Sequence, residues 1–213
     1  NGRAKITGFT SATVVAATTQ DDFDNTNAVS NWKLGAFSGT TGHPSCVSFF
    51  EQRLVFAGTN SEPQTLYFSK SGDYENMTTG TNADDAMVYT IASNQVNRIR
   101  YLKSQRTLIV GTTGGEFTVS ADGTDAAITP TNIVIKKQSS YGTANVDAIP
   151  AGNSVLFLQK AKRKIRELSY NFDTDGYVAP DLTILNDIVT KSGITEMAYQ
   201  QEPDSILWCV RDD

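Results

Sequence analysis

The chain comprises 213 residues, of which 39% are hydrophobic and 19% charged, with sixteen glycines. That is a globular composition, long enough to bury a substantial core as one β-rich domain or as one domain plus part of another. A net charge of −5 argues against a general duplex-DNA binder, whose non-specific affinity comes from neutralising phosphates, and no apolar run approaches the roughly 20 residues needed to span a bilayer.

No signal-peptide pattern stands at the start. Cys46 and Cys209 are too few for a disulfide scaffold and could pair only if the chain ends meet, so two free, buried thiols are expected. The first residue is not Met, and the chain stops at Arg211-Asp212-Asp213, just after a strand-like run. Both features point to a piece of a longer polypeptide. Thr, Ser, Val, Tyr and Phe recur in short groups, which favours strands over helices.

Residues 4–18, AKITGFTSATVVAAT, hold two strand-like pieces around Gly8-Phe9-Thr10, so residues 1–19 read as the end of an upstream β module. Residues 20–42 are polar and turn-rich, a connector with one anchored patch from Trp32 to Phe37. From His43 a repeat begins, and residues 43–213 read as β-propeller blades. The strongest strand cores are LVFAG (54–58), LIVGT (108–112), VLFLQ (155–159) and ILWCV (206–210), whose first residues lie 54, 47 and 51 positions apart. Each follows a shorter strand-like run, VSFF (47–50), RIRYL (98–102), VDAIP (146–150) or ITEMAY (194–199), across a polar turn. In the first of these turns, Glu51-Gln52-Arg53 form the connection.

Third runs follow at TLYFS (65–69), EFTVS (116–120) and KIRELSY (164–170), and looser fourth runs at AMVYTIA (86–92) and NIVIKK (132–137). Four antiparallel strands recurring at about 50 residues are the pattern of a propeller blade. The expected fold is therefore all-β, with blades over 43–93, 94–143 and 144–192 and a partial one over 193–213, part of a larger propeller. One short helix is expected at 180–193, where Leu182, Leu185, Ile188 and Val189 fall at helical spacing. Asp181 is placed to cap its start, and Lys191 and Gly193 its end.

Chemical motifs are sparse. His43 is the only histidine, so any His-based catalysis would use it, with Cys46 as the nearest nucleophile; Pro44 and a strand start favour an ordinary edge histidine. Asp173-Thr174-Asp175-Gly176 resembles the start of a calcium loop, but Leu185 stands where the twelfth-position Glu belongs. Asp173 and Asp175 are thus weak metal candidates; Asp84-Asp85 and Asp122/Asp125 are weaker. Ser120-Ala121-Asp122-Gly123-Thr124 resembles the Asp-box turn of sialidase-type propellers, with Ala126 and Ala127 where its closing aromatic would stand.

Lys160, Lys162, Arg163, Lys164 and Arg166 place five cations in seven residues of an acidic chain. They read either as a contact with phosphates or an acidic partner, or as a solvated hairpin tip. The sequon Asn76-Met77-Thr78 is taken as accidental. No catalytic residue, metal or cofactor is expected.

Several phrases together resemble the tail nozzle (tail tubular protein B-like) family of short-tailed phages and prophages. They are WKLGAFS (32–38), GHPSCVSFFEQRLVFAGT (42–59), EPQTLYFSKSGDYENM (62–77), DLTILNDIV (181–189) and ITEMAYQQEPDSILWCVRDD (194–213). The resemblance covers most of residues 30–213. It implies a structural virion protein containing a β-propeller, located in the tail and assembled in the host cytoplasm. A homo-oligomeric, hexameric ring beneath the tail adaptor would conduct DNA through its lumen without specific binding and support tail fibres. The alternative expectation is a carbohydrate-binding or glycan-cleaving propeller module of a receptor-binding protein.

Overall fold

The structure is a computed structural model that describes residues 2–23, 25, 27–28, 30, 35–93, 96–123 and 126–213. The chain divides into two compact units, 1–35 and 36–213. In the first, β1 (Arg3–Ser11) and β2 (Val14–Asp21) form an antiparallel hairpin whose open end carries an Arg3–Asp21 ion pair at 2.8 Å. Trp32, Lys33 and Leu34 of the expected anchored patch lie outside the described residues. Phe37 belongs to the second unit and stands edge-on to Phe56 and Tyr67, with centroids 5.2 and 5.0 Å away.

The second unit is a succession of antiparallel meanders in which every strand pairs with its sequence neighbour. The first sheet holds β3 (Cys46–Phe50), β4 (Arg53–Ala57), β5 (Thr65–Phe68) and β6 (Met87–Thr90). The second holds β7 (Ile99–Ser104), β8 (Leu108–Thr112), β9 (Gly115–Ala121) and β10 (Ile133–Ser139). The third holds β11 (Ile149–Ala151), β12 (Ser154–Leu158), β13 (Ile165–Asn171) and β14 (Gly176–Val178). A final hairpin joins β15 (Ile194–Gln200) to β16 (Ile206–Arg211). The first strands of successive sheets touch (β3 with β7, β11 with β15), as do the last strands β10 and β14. The protein is all-β among the described residues, and none of its sheets closes on itself. Among the described residues no helix is long and apolar enough to cross a membrane.

The packing explains why the strand cores were legible. All five residues of β8 and of β12 are buried, because neighbouring sheets cover both faces, and such strands read as continuous apolar runs. Three apolar clusters lie along the succession of sheets. Val55, Leu66, Phe68, Leu102 and Val110 join the first sheet to the second. Tyr101, Ile109, Val155, Phe157 and Leu168 join the second to the third. Leu158, Ile165 and Ile194, with Met197 and Leu207 against them, join the third to the hairpin. Each fully buried Leu, Ile, Val or Phe contributes about 1.5–3 kcal/mol relative to exposure. At Gly111, which pairs with Tyr101 across β7–β8, a Cβ would enter the Tyr101 ring, so only glycine fits there.

Three expectations are corrected. Residues 180–193 contain no helix: Asn186 N, Lys191 N and Gly193 N each donate to the carbonyl three residues back, making successive turns. Asp181 caps only an Asx turn, its Oδ1 accepting from Thr183 N at 2.9 Å. Competing main-chain bonds to β13, from Leu182 N to Ile165 O (2.9 Å) and from Glu167 N to Pro180 O (3.2 Å), hold the chain extended at its start. Second, the first hairpin turn is only Glu51-Gln52, at φ 45° and 59°, the left-handed pair that a two-residue type I′ turn requires. Arg53 pairs with Phe50 as the first residue of β4 and is buried. Third, both cysteines are free but only Cys46 is buried; Cys209 is exposed on β16.

Candidate functional site

The fold splits the basic run. Lys160, Lys162, Arg163 and Lys164 lie in the β12–β13 turn and are exposed, whereas Arg166 is half-buried within β13. Main-chain bonds close the turn, from Gln159 N to Lys164 O (2.9 Å) and from Lys162 N to Gln159 O (2.8 Å). Arg166 works inward: Nε donates to Gln159 Oε1 at 2.8 Å and Nη1 to Ala179 O at 2.6 Å. Its guanidinium carbon lies 3.5 Å from the Tyr141 ring centroid, a cation–π contact.

Lys164 Nζ stands 2.8 Å from Asp181 Oδ2. Burial raises the Asp181 carboxyl, but bonds from Lys164 and Thr183 outweigh it and hold it at about 2. Lys160, Lys162 and Arg163 have no side-chain partner among the described residues, so these three cations are the part of the run offered to solvent. The 182–193 segment is fastened beside them, with Thr190 Oγ1 donating to Arg163 O at 2.7 Å and Ile194 N to Lys162 O at 2.9 Å.

The chemical candidates are not brought together. His43 is exposed. Cys46 is buried with its Sγ near Ser45 Oγ (3.6 Å) and Ile99 O (3.9 Å), and burial pushes its thiol pKa up, away from the nucleophilic thiolate. Asp173 and Asp175 sit in the β13–β14 turn, which satisfies itself. Asn171 Oδ1 accepts from Asp173 N at 2.9 Å and Thr174 N at 3.3 Å, and Asp175 Oδ1 accepts the Tyr170 hydroxyl at 2.7 Å. Asp84 pairs with Lys70 at 3.0 Å, and Asp85 Oδ2 accepts from Asn82 N at 2.9 Å. Thr124 and Asp125 lie outside the described residues. Among those described, no group of three or more His, Cys, Asp or Glu side chains is placed to hold a metal ion.

Three features escaped the sequence reading. Arg53 spreads its guanidinium over four main-chain carbonyls: Nη1 donates to Ser69 O (2.8 Å), Asp85 O (2.7 Å) and Asp84 O (3.3 Å), and Nη2 to Ala83 O (2.7 Å). Glu116, on β9, is fully buried and accepts the Ser139 hydroxyl through Oε2, while its Oε1 and the buried Tyr101 hydroxyl have no hydrogen-bond partner among the described residues. Burial raises the Glu116 carboxyl to about 7, partly offset by Ser139, Arg166 and Lys137.

The third feature is a cleft of about 450 Å³ between the β3–β4 and β7–β8 turns, lined by Phe49, Gln52, Tyr74, Gln105 and Arg106 among others. The exposed rings of Phe49 and Tyr74 meet edge to face there, 5.2 Å apart at 80°. None of these features carries a sequence motif. No family model and no curated protein matches the chain.

Proposed function

We propose that the chain is a structural virion protein, a subunit of the tail nozzle or tail tube of a short-tailed bacteriophage. In this reading the second unit supplies blades of a β-propeller. The observation that carries it is the succession of meanders at about the repeat length read from the sequence, with an apolar core between each sheet and the next. The phrases that resemble the tail-nozzle family support it independently. Rings of the subunit, hexameric in this proposal, seat against the tail adaptor and tail fibres in the virion and form in the host cytoplasm. The negative charge of the chain suits a wall past which DNA slides, because like charges keep the duplex from adhering. No enzymatic step belongs to this role.

Electron microscopy of the protein mixed with the tail adaptor of its own phage tests the proposal. Rings stacked on the adaptor are expected, and a strictly monomeric particle that ignores the adaptor would sink it. The cleft favours a second reading, a carbohydrate-binding module, because exposed aromatic rings beside side-chain amides and an arginine suit sugar rings. Reproducible binding on a glycan panel that Tyr74→Ala abolishes would put this second reading first.

A further inference from the structure

The meander order sorts the connections of the second unit into two groups. In each four-stranded sheet the turns after the first and third strands lie at one end. The turn after the second strand and the link to the next sheet lie at the other. Hydrogen bonds between sheets keep each group together along the row. At the first end Ile128 N donates to Glu51 Oε2 at 2.6 Å and Gln105 Nε2 to Ser154 O at 3.0 Å. At the second, Ile99 N donates to Pro63 O at 3.0 Å, Thr143 N to Thr112 O at 2.8 Å and Lys160 N to Gly142 O at 3.0 Å.

Charge follows the same division. The β5–β6 connection carries Asp73, Glu75, Asp84 and Asp85 at the first end. Glu51 joins them from the β3–β4 turn, Asp122 from the start of the β9–β10 connection, and Asp173 and Asp175 from the β13–β14 turn. Against these acids the described connections of that end set two bases, Arg106 and Lys70, and Lys70 is already paired with Asp84. The second end reverses the balance. Its acids Asp147 and Asp181 pair with Lys103 and Lys164, which leaves Glu62 and Asp187. Against those two stand Arg98, Lys160, Lys162, Arg163 and Lys191. The β12–β13 turn that shows three of these cations is tied down by main-chain bonds, so little backbone order is left to lose on contact. Sheets pack on their neighbours through their faces, so strands flanking the row would leave both ends of these three sheets open.

We infer that the second unit docks end to end on a second copy of the chain, the basic end of one against the acidic end of the next. Charge selects this polarity. Like ends would set base against base or acid against acid, whereas unlike ends set the β12–β13 cations against the acidic turns. The net charge of −5 does not forbid the contact, because salt screens charges more than about 8 Å apart and the facing ends decide. Such a contact is head-to-tail, so each docked copy keeps one end open and the stack can grow. The inference goes beyond the ring-subunit reading: ring contacts join copies side by side, whereas this contact stacks them along their strands.

The test is sedimentation velocity on the 213-residue chain at about 0.05 M and about 0.5 M salt. Association is expected at the lower salt and its loss at the higher. Lys160→Ser, Lys162→Ser and Arg163→Ser combined should weaken association about tenfold, the effect of losing several exposed charge pairs together. Asp122→Lys with Asp173→Lys should weaken it as much. All five positions are exposed, so neither change threatens folding. The first lowers the net charge by three and the second raises it by four, so weakening in both cannot come from net charge. Association that persists at the higher salt, or that either variant keeps in full, overturns the inference and leaves the ring reading to the microscopy above. A chain that stays monomeric at the lower salt also overturns it. Should that monomer bind a labelled DNA duplex that the Ser variant does not, the basic end belongs to phosphates instead.

Discussion

Arg53 and its neighbour Leu54 hold Ser69 at three points, one from the Arg53 guanidinium and two from the Leu54 main chain. Arg53 Nη1 donates to Ser69 O at 2.8 Å, while Ser69 Oγ accepts from Leu54 N at 2.9 Å and Ser69 N donates to Leu54 O at 2.9 Å. The same guanidinium reaches the carbonyls of Ala83, Asp84 and Asp85, so one side chain fastens the long β5–β6 connection to the start of β4. Arg53→Ala leaves those carbonyls without their donor and opens a cavity, and should cost about 3 kcal/mol in urea unfolding. Arg53→Lys keeps the charge but not the fork, and should fall between. A loss under about 0.5 kcal/mol for Arg53→Ala would refute the clamp.

Glu116 makes stability depend on pH in a defined direction. Its carboxyl rises from the ordinary 4.5 to about 7 in the folded protein, because burial disfavours the charge. The folded state therefore keeps a proton that the unfolded chain releases, so this contribution is fully present below about pH 4.5 and is lost as pH rises through 7. The whole swing is at most about 3 kcal/mol. Unfolding curves across this window should show parent stability falling relative to Glu116→Gln, whose side chain cannot ionise. Parallel curves would refute the assignment.

Gly111 and Tyr101 are coupled through space. Gly111→Ala should destabilise by about 2 kcal/mol, since the added methyl enters the Tyr101 ring across β7–β8. Combined with Tyr101→Ala, the same change should cost almost nothing further, because the obstacle is gone. Strict additivity in this double-mutant cycle would show that the contact does not limit the position.

The basic run should separate into two halves by thermal melting. Replacing Lys160, Lys162 and Arg163 together with Ser should change stability by less than about 0.5 kcal/mol, as is usual for exposed charges. Arg166→Ala removes bonds to Gln159 and Ala179 and the contact with Tyr141, and should cost about 2 kcal/mol. Equal effects would contradict the division.

The two thiols should differ in reactivity. In the folded protein a thiol-specific reagent at pH 8 should label Cys209, exposed on β16, and spare Cys46, which is buried; desolvation pushes both thiols up, so access makes the difference. In urea both should react. Rapid native labelling of Cys46 would mean that β3 opens readily.

The positions of most strands were legible because runs such as LIVGT and VLFLQ combine β-branched or aromatic residues with polar turns on either side. Those are local properties, and β8 and β12 fall on them almost residue for residue. The helix expectation failed for a reason of the same kind. Leu182, Leu185 and Ile188 have helical spacing, but spacing alone does not say whether anything covers a face, and here the segment is tied to β13 and exposed. β14 escaped notice because Gly176-Tyr177-Val178 is too short to show a period and is held by pairing with Ser169, Tyr170 and Asn171. For the basic run, spacing showed the cluster but not that Arg166 turns inward.

What the residues determined by themselves was the all-β class, the succession of antiparallel pairs and the acidic balance, because strand propensity, turn chemistry and charge act over a few positions. What only the tertiary structure decided was which polar side chains are enclosed. Arg53 looked like part of a turn and Glu116 like an ordinary strand residue, because the carbonyls at 83–85 and the Ser139 hydroxyl that meet them come from distant chain positions. Burial is a property of what packs around a residue, and that partner set is assembled only when the sheets stack.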